Sequence, residues 1–197
     1  MGLEDIAHKQ LGGLFVQVLD QAPVVLMAQA AGFDFLFFDG EHGDIDLSSV
    51  MLLGNSLGIP SIVRAPQLAR ADVSRMLDLG ASGVMVPMVE TAAQARQLVQ
   101  WAKYPPVGTR SYSGGAHTGY GPSGHHAQNM SRANASTLAI AQIETVEGVR
   151  RWAAPRSSRS STRSRPPAPP LARALASLAG TLFSPGMRGT LTSWSPR

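Results

Sequence analysis

The strongest constraint on this chain is a rhythm. Five short, nearly continuous apolar runs, at Gly13–Val18, Phe33–Phe38, Pro60–Arg64, Gly83–Pro87 and Thr137–Ile143, are separated by longer stretches with helical spacing. An apolar run without polar alternation reads as a strand covered on both faces, and strands that alternate with helices build a parallel sheet. The spacing predicts helices at Val24–Ala31, Leu47–Leu57, Ala71–Leu79 and Ala92–Trp101. Residues 103–135, rich in Gly, His, Ser and Tyr, read as one long connection. In a compact domain such a connection is functional or mobile. The fold class is α/β.

Composition excludes several alternatives. At 44% hydrophobic residues the chain can build a core, and no apolar run approaches the ~20 residues of a membrane-spanning helix. The start, Met1-Gly-Leu-Glu-Asp, has no basic region before an apolar stretch, so no signal peptide is expected. There is no cysteine, which removes disulfide and thiolate chemistry. Cytoplasm is the default compartment.

The net charge of +4 averages two unlike segments. All 13 acidic residues fall within 1–150, whereas Arg151–Arg197 holds eight arginines, seven prolines and no acidic residue. The organisation expected is a globular unit over 1–150 and a basic, disordered tail over 151–197. Arg-, Ser- and Pro-rich text without carboxylates is what GC-rich coding sequence gives out of phase, so the tail is read as out-of-frame. A nucleic-acid-binding arm is the lower-ranked alternative, since arginines neutralise phosphates but no RNA-binding motif accompanies them.

Charged residues follow three different strands: Asp39, Glu41 and His42 after the second, Arg64 at the end of the third, and Glu144 after the fifth. The C-terminal edge of a parallel barrel or open sheet is where chemistry is built. Singly, Asp39 could cap a helix, Arg64 could pair at the surface and Glu144 could start a helix. Together, a carboxylate, an imidazole and a guanidinium at one edge could bind a metal and an anionic carbonyl compound. His8 reads as solvated, and His117, His125 and His126 as part of a mobile polar loop, with a lid or substrate-specificity role open.

At these residues the sequence resembles the HpcH/HpaI aldolase family, the metal-dependent class II pyruvate aldolases. The resemblance begins at Phe33-Asp-Phe-Leu-Phe-Phe-Asp-Gly-Glu-His42 and continues, in order, through Ile62-Val-Arg64-Ala-Pro, Leu77-Asp78-Leu-Gly-Ala and Val84-Met-Val-Pro-Met-Val-Glu-Thr91. Tyr104-Pro-Pro-Val-Gly-Thr-Arg110 and Gln142-Ile-Glu144-Thr complete it, so that it covers roughly residues 12–150. It implies a TIM-type (β/α)8 barrel, here incomplete at about five βα units, and in the family a homo-oligomer, usually a hexamer. It also implies cleavage of a 2-keto-4-hydroxy acid to pyruvate and an aldehyde, with Mg²⁺, Mn²⁺ or Co²⁺ as a Lewis acid.

By the same resemblance Glu144 is a metal ligand, and Arg64 holds the keto oxygen and the developing enolate charge. His42 is the acid/base on the aldol hydroxyl, with Asp78 as its orienting carboxylate, acting across a subunit interface. Asp39 and Glu41 orient water around the cation, and Gln142 contacts the pyruvate carboxylate. The family's second metal ligand, an aspartate, has no counterpart, because residues 151–197 contain no carboxylate. Two further readings follow: an inactive fragment lacking that ligand, or nucleic-acid binding through the tail.

Overall fold

The computed structural model describes residues 11–18, 22–43, 47, 54, 57–120 and 125–153. Five strands form one sheet: β1 (Gly13–Val16), β2 (Phe35–Asp39), β3 (Ser61–Arg64), β4 (Gly83–Val86) and β5 (Leu138–Ala141). Each pairs in parallel with the next, in the order β1-β2-β3-β4-β5. An order without reversal is that of successive barrel units; a doubly wound sheet reverses at its switch point. All five predicted strands are present, each shorter than its apolar run. Asp39 is the exception, since it lies inside β2 and not after it.

The helices are α1 (Ala22–Ala30), α2 (Arg70–Asp78), α3 (Ala92–Ala102), α4 (His126–Ser136) and α5 (Val146–Ala153). A capping box starts α3: Thr91 Oγ1 accepts the Gln94 N–H, and the Gln94 side chain accepts the Thr91 N–H, which satisfies two donors of the first turn. Helix α4 corrects the reading of 103–135 as one connection. Helix α5 runs to Ala153, past the change in charge at 150. The predicted helix Leu47–Leu57 falls largely outside the described residues, as does the tail from 154 onward. Among the described residues no helix is long and apolar enough to cross a membrane.

Strand alternation divides the core in two. Leu36, Phe38, Val63, Val84, Val86 and Ala139 point to the helix side and pack with Val25, Val73, Leu77 and Leu98 in the main cluster. Residues one position out of phase, Ile62, Leu138 and Ile140 with Phe35, Phe37 and Met85, form a second cluster on the other face. Phe15 stacks on Phe37 there at 5.4 Å between ring centroids. Because the side-chain period in a strand is two, the next residues of that face after Phe37, Ile62 and Ile140 are Asp39, Arg64 and Gln142. One face thus runs from apolar to polar toward the C-terminal edge.

Candidate active site at the C-terminal edge of the sheet

Asp39 is the hub of this edge. The β2–β3 register sets Asp39 directly opposite Arg64, so their side chains meet across the strands. Arg64 Nε donates to Asp39 Oδ1 at 2.8 Å and Nη2 to Oδ2 at 2.6 Å. That is the planar two-bond fork in which arginine differs from lysine. The Glu41 and His42 backbone N–H groups also donate to Oδ1 at 3.1 and 3.2 Å, and Gln17 Nε2 donates to Oδ2 at 3.2 Å. Asp39 is fully buried, and the Arg64 guanidinium beside it holds its carboxyl below the usual carboxylate range. Asp39 thus holds a turn, not a described helix start, and the ion pair expected of Arg64 at the surface is largely buried.

Arg64 has further neighbours. Glu41 Oε2 lies 3.3 Å from its Nε, and the hydrogen bonds to Asp39, with the charges of Asp39, Glu41 and Glu144, raise its pKa beyond the ordinary arginine value. Of its five N–H donors, both on Nη1 and one on Nη2 have no acceptor among the described residues. The His42 ring is largely exposed, with Nε2 3.6 Å from Glu41 Oε2.

Gly40 lets the two strand ends approach. Its N–H donates to the Arg64 carbonyl at 2.9 Å, and a Cβ there would sit 2.6 Å from that same oxygen. Gly40→Ala is therefore expected to push β2 off β3 and cost about 1–3 kcal/mol, read by urea denaturation. An unchanged midpoint would show that the close approach is not needed.

Glu144 stands on the other side of the edge and is exposed. Its Oε1 accepts the Met88 N–H at 2.9 Å and its Oε2 accepts from Gln142 Nε2 at 2.6 Å. Met88 sits at φ 56°, a left-handed conformation that costs a side-chain-bearing residue energy. Gln142 Oε1 is buried with no partner. Among the described residues no three of His, Cys, Asp and Glu come together as a metal site. Glu144 and Gln142 Oε1 are oxygen donors of the kind Mg²⁺ and Mn²⁺ take, but Asp39 and Glu41 are committed to Arg64, and Glu90 accepts from Thr145 Oγ1. The donors fit such a cation in type and not in number.

Asp78 lies elsewhere. It ends α2, which runs back from the C-terminal edge. The next segment joins the sheet at its N-terminal edge, where the Ser82 N–H donates to the Ser61 carbonyl. Its Oδ1 accepts from Arg110 Nη2 at 2.7 Å, so within this chain it does not meet His42. Residues 103–118 also pack at that edge, which corrects the reading of His117 as part of a mobile polar loop: its Nδ1 is 3.4 Å from the Asp78 carbonyl, and Tyr112 meets both His117 and His126 edge-on.

Sequence reasoning missed three residues of consequence: Gln17, the Met88 N–H and Lys103. Alternation from Phe15 would have placed Gln17 on the site face; nothing local marks Met88. Lys103 is fully buried, and its Nζ donates to the carbonyls of Asn134, at 2.7 Å, and Thr137, at the C-terminal end of α4 where a cation suits the helix dipole. Burial, helped by the Arg110 charge, pulls its pKa down to about 8. Between pH ~8 and ~10.5 the unfolded chain therefore holds a proton that the folded chain has released, and stability rises with pH, by up to about 1.4 kcal/mol per unit. Above pH ~10 the buried Tyr104 phenol, whose pKa burial raises, works in the opposite direction. Urea melts from pH 7 to 10 should show the rise, and Lys103→Met should abolish it; a rise that survives in Lys103→Met would assign it to another group.

The description "HpcH/HpaI aldolase/citrate lyase" matches residues 12–154. The chain is 37% identical over 144 residues to a 4-hydroxy-2-oxovalerate aldolase of Novosphingobium aromaticivorans, covering 71% of this chain and 53% of that protein. With a hydroxypyruvate/pyruvate aldolase of Roseobacter denitrificans it shares 39% identity over 124 residues, 60% of this chain and 47% of that protein. It thus spans about half the length of the curated relatives it matches. Among solved structures, an HpcH/HpaI aldolase from Desulfitobacterium hafniense superposes with a TM-score of 0.68 at 31% identity, over 74% of this chain and 57% of that one. Macrophomate synthase does so at 0.64 and 28% identity, over 75% and 53%. With the family match over residues 12–154 and a TIM-type arc of five parallel strands, this chain belongs to the HpcH/HpaI aldolase/citrate lyase family.

Proposed function

We propose that this edge is the keto-acid side of an aldolase site, for retro-aldol cleavage of a 2-keto-4-hydroxy acid to pyruvate and an aldehyde. The observation that carries the reading is Arg64, locked by Asp39 with three N–H donors not taken up by the described residues, at the edge where the charge of an enolate has to be met. In the step proposed, His42 takes the proton of the 4-hydroxyl and the C3–C4 bond breaks. Its electron pair becomes the C2–C3 double bond of the enolate, the aldehyde leaves, and C3 is reprotonated to give pyruvate. Donors fixed before the charge develops lower the barrier without reorganisation. Gln142 would meet the carboxyl end of the substrate through its Nε2, the donor that goes to Glu144 Oε2 at 2.6 Å here.

A divalent cation of the Mg²⁺ or Mn²⁺ kind, when bound, supplies Lewis-acid stabilisation of the same charge. Glu144 is the residue that would hold it, and further ligands would come from water, substrate or residues outside those described. Asp78, at the opposite edge, would orient His42 only from a second copy of the chain, which ties that role to a homo-oligomer such as the family's hexamer.

The test compares the 197-residue polypeptide with a chimera in which residues 12–153 continue into the C-terminal remainder of the Novosphingobium relative. Pyruvate release from 4-hydroxy-2-oxovalerate is expected from the chimera with Mg²⁺ or Mn²⁺, and is expected to stop with a chelator. The 197-residue polypeptide, with no carboxylate after 151, is expected to be about 100-fold slower or worse. Equal rates would overturn the need for a second carboxylate ligand from this stretch.

A further inference from the structure

We propose, resting on the aldolase reading above, that Gln17 is a specificity-determining residue of that site. Its side-chain carbonyl receives a hydroxyl on the aldehyde half of the substrate.

Register brings Gln17 to the site. Strand β1 pairs with β2 so that Val16 lies opposite Phe38, and the next residue of each chain segment is Gln17 and Asp39. Phe15, two residues back, stacks on Phe37. The period of two therefore carries Gln17 onto the polar end of the same face, with Asp39, Arg64 and Gln142. Its Nε2 donates to Asp39 Oδ2 at 3.2 Å.

That one bond orients the whole amide. The Asp39 carboxyl is held below the usual carboxylate range, so at neutral pH it is ionised and only accepts. Gln17 must turn its NH₂ toward Asp39 and its carbonyl away. Oε1 takes no hydrogen bond among the described residues, and the residue is exposed at the open edge.

Strand order decides which part of a substrate Oε1 meets. Along the edge come Gln142 and Glu144 after β5, Arg64 at the end of β3, His42 after β2 and Gln17 after β1. Consider a 2-keto-4-hydroxy acid with its carboxyl end by Gln142, its keto oxygen by Arg64 and its 4-hydroxyl by His42. Its C5 end then points at β1. Adjacent strands lie ~4.8 Å apart, so a short extension of the carbon chain past C4 reaches Gln17.

A carbonyl oxygen accepts, and its complement there is a hydroxyl. Charge narrows the class further. The cluster beside Gln17 holds two carboxylates, Asp39 and Glu41, against one guanidinium, Arg64. A carboxylate at C5 would meet net like charge, whereas a hydroxyl does not. The aldehyde released is therefore a neutral 2-hydroxyaldehyde.

NMR titration of the full 197-residue chain with Mg²⁺ present tests this. The probes are 4-hydroxy-2-oxovalerate, 4,5-dihydroxy-2-oxovalerate and 4-hydroxy-2-oxoglutarate, which differ at C5 as methyl, hydroxymethyl and carboxylate. The Gln17 amide signal, identified as the one that Gln17→Leu removes, should shift with the dihydroxy acid. Gln17→Leu should weaken that acid about three- to tenfold, the loss of one hydrogen bond, and leave 4-hydroxy-2-oxovalerate within about twofold. The glutarate should bind weakest to both proteins. A role of Gln17 only in steadying Asp39 would instead weaken all three acids alike, and that result would overturn the proposal. So would a dihydroxy acid that binds Gln17→Leu as well as wild type, or a glutarate that binds tighter than the valerate. Binding of none of the three would bring down the aldolase reading as well. Binding that Arg64→Ala abolishes and Gln17→Leu leaves untouched would overturn the role of Gln17 alone.

Discussion

Replacing Asp39 with alanine should lower the unfolding free energy by about 3 kcal/mol, at the lower end of what breaking a buried ion pair costs. The low end applies because Arg64 keeps Glu41 at 3.3 Å and some access to solvent. Even so the loss is large against the 5–15 kcal/mol that hold a typical domain together. Five hydrogen bonds end on this carboxylate, from Arg64, Gln17 and the backbone of Glu41 and His42, so the turn after β2 loses its anchor as well. Adding Arg64→Met to Asp39→Ala should recover part of the loss, since the second change removes the charge that the first left unpaired. Acid should mimic the substitution. A carboxyl whose folded pKa is depressed contributes its full stabilisation above the ordinary range near pH 4, and loses it as pH falls through the lower folded value. Urea melts of wild type and Asp39→Ala should therefore converge below pH ~4; a constant gap down to pH 2 would separate the stability loss from the charge.

Arg64→Ala in the chimera should cut pyruvate release by about 10²- to 10³-fold, the usual loss when a fixed donor to a developing oxyanion is removed. Arg64→Lys should recover little. A lysine ammonium keeps the charge but not the fork, and cannot hold both Asp39 oxygens while presenting donors to a ligand. The loss should fall mainly on kcat if Arg64 acts on the enolate, and mainly on KM if it only binds the carboxylate end. Because Arg64→Ala also leaves Asp39 buried and unpaired, the double variant Asp39→Asn/Arg64→Ala separates the effects. It should regain stability and stay inactive; regained activity would remove Arg64 from the chemistry.

How much of this was legible in the sequence follows from burial. The strands announced themselves because residues such as Leu36, Phe38, Val63 and Val84 are wholly buried and leave unbroken apolar runs. The polar residues that end those runs, Arg64 and Glu144, were legible for the same reason: a charge after a buried strand marks the sheet edge. Helix α4 left no such trace. None of its residues is buried, so His126–Ser136 has no apolar stripe, and its Asn and Ser content reads as loop. Lys103 and Arg110 could not be seen as interior residues, because their burial depends on carbonyls and an aromatic ring brought together by the fold. The position of Asp78 was decided by the direction of α2. The resemblance of 33–42 to a family motif named its neighbours in function, but strand geometry separates Asp78 from His42 within one chain.

The proposal on which the rest depends is that Arg64, together with a divalent cation that Glu144 would hold, stabilises the enolate of pyruvate. It is tested most directly without any aldehyde, by following loss of the pyruvate methyl proton signal in D₂O under catalysis by the chimera with Mn²⁺ or Mg²⁺ present. Exchange into the methyl group is expected, and should fall to the uncatalysed rate in Arg64→Ala and in Glu144→Gln. Exchange that continues undiminished in both variants would contradict the account, and would move the chemistry away from this edge of the sheet.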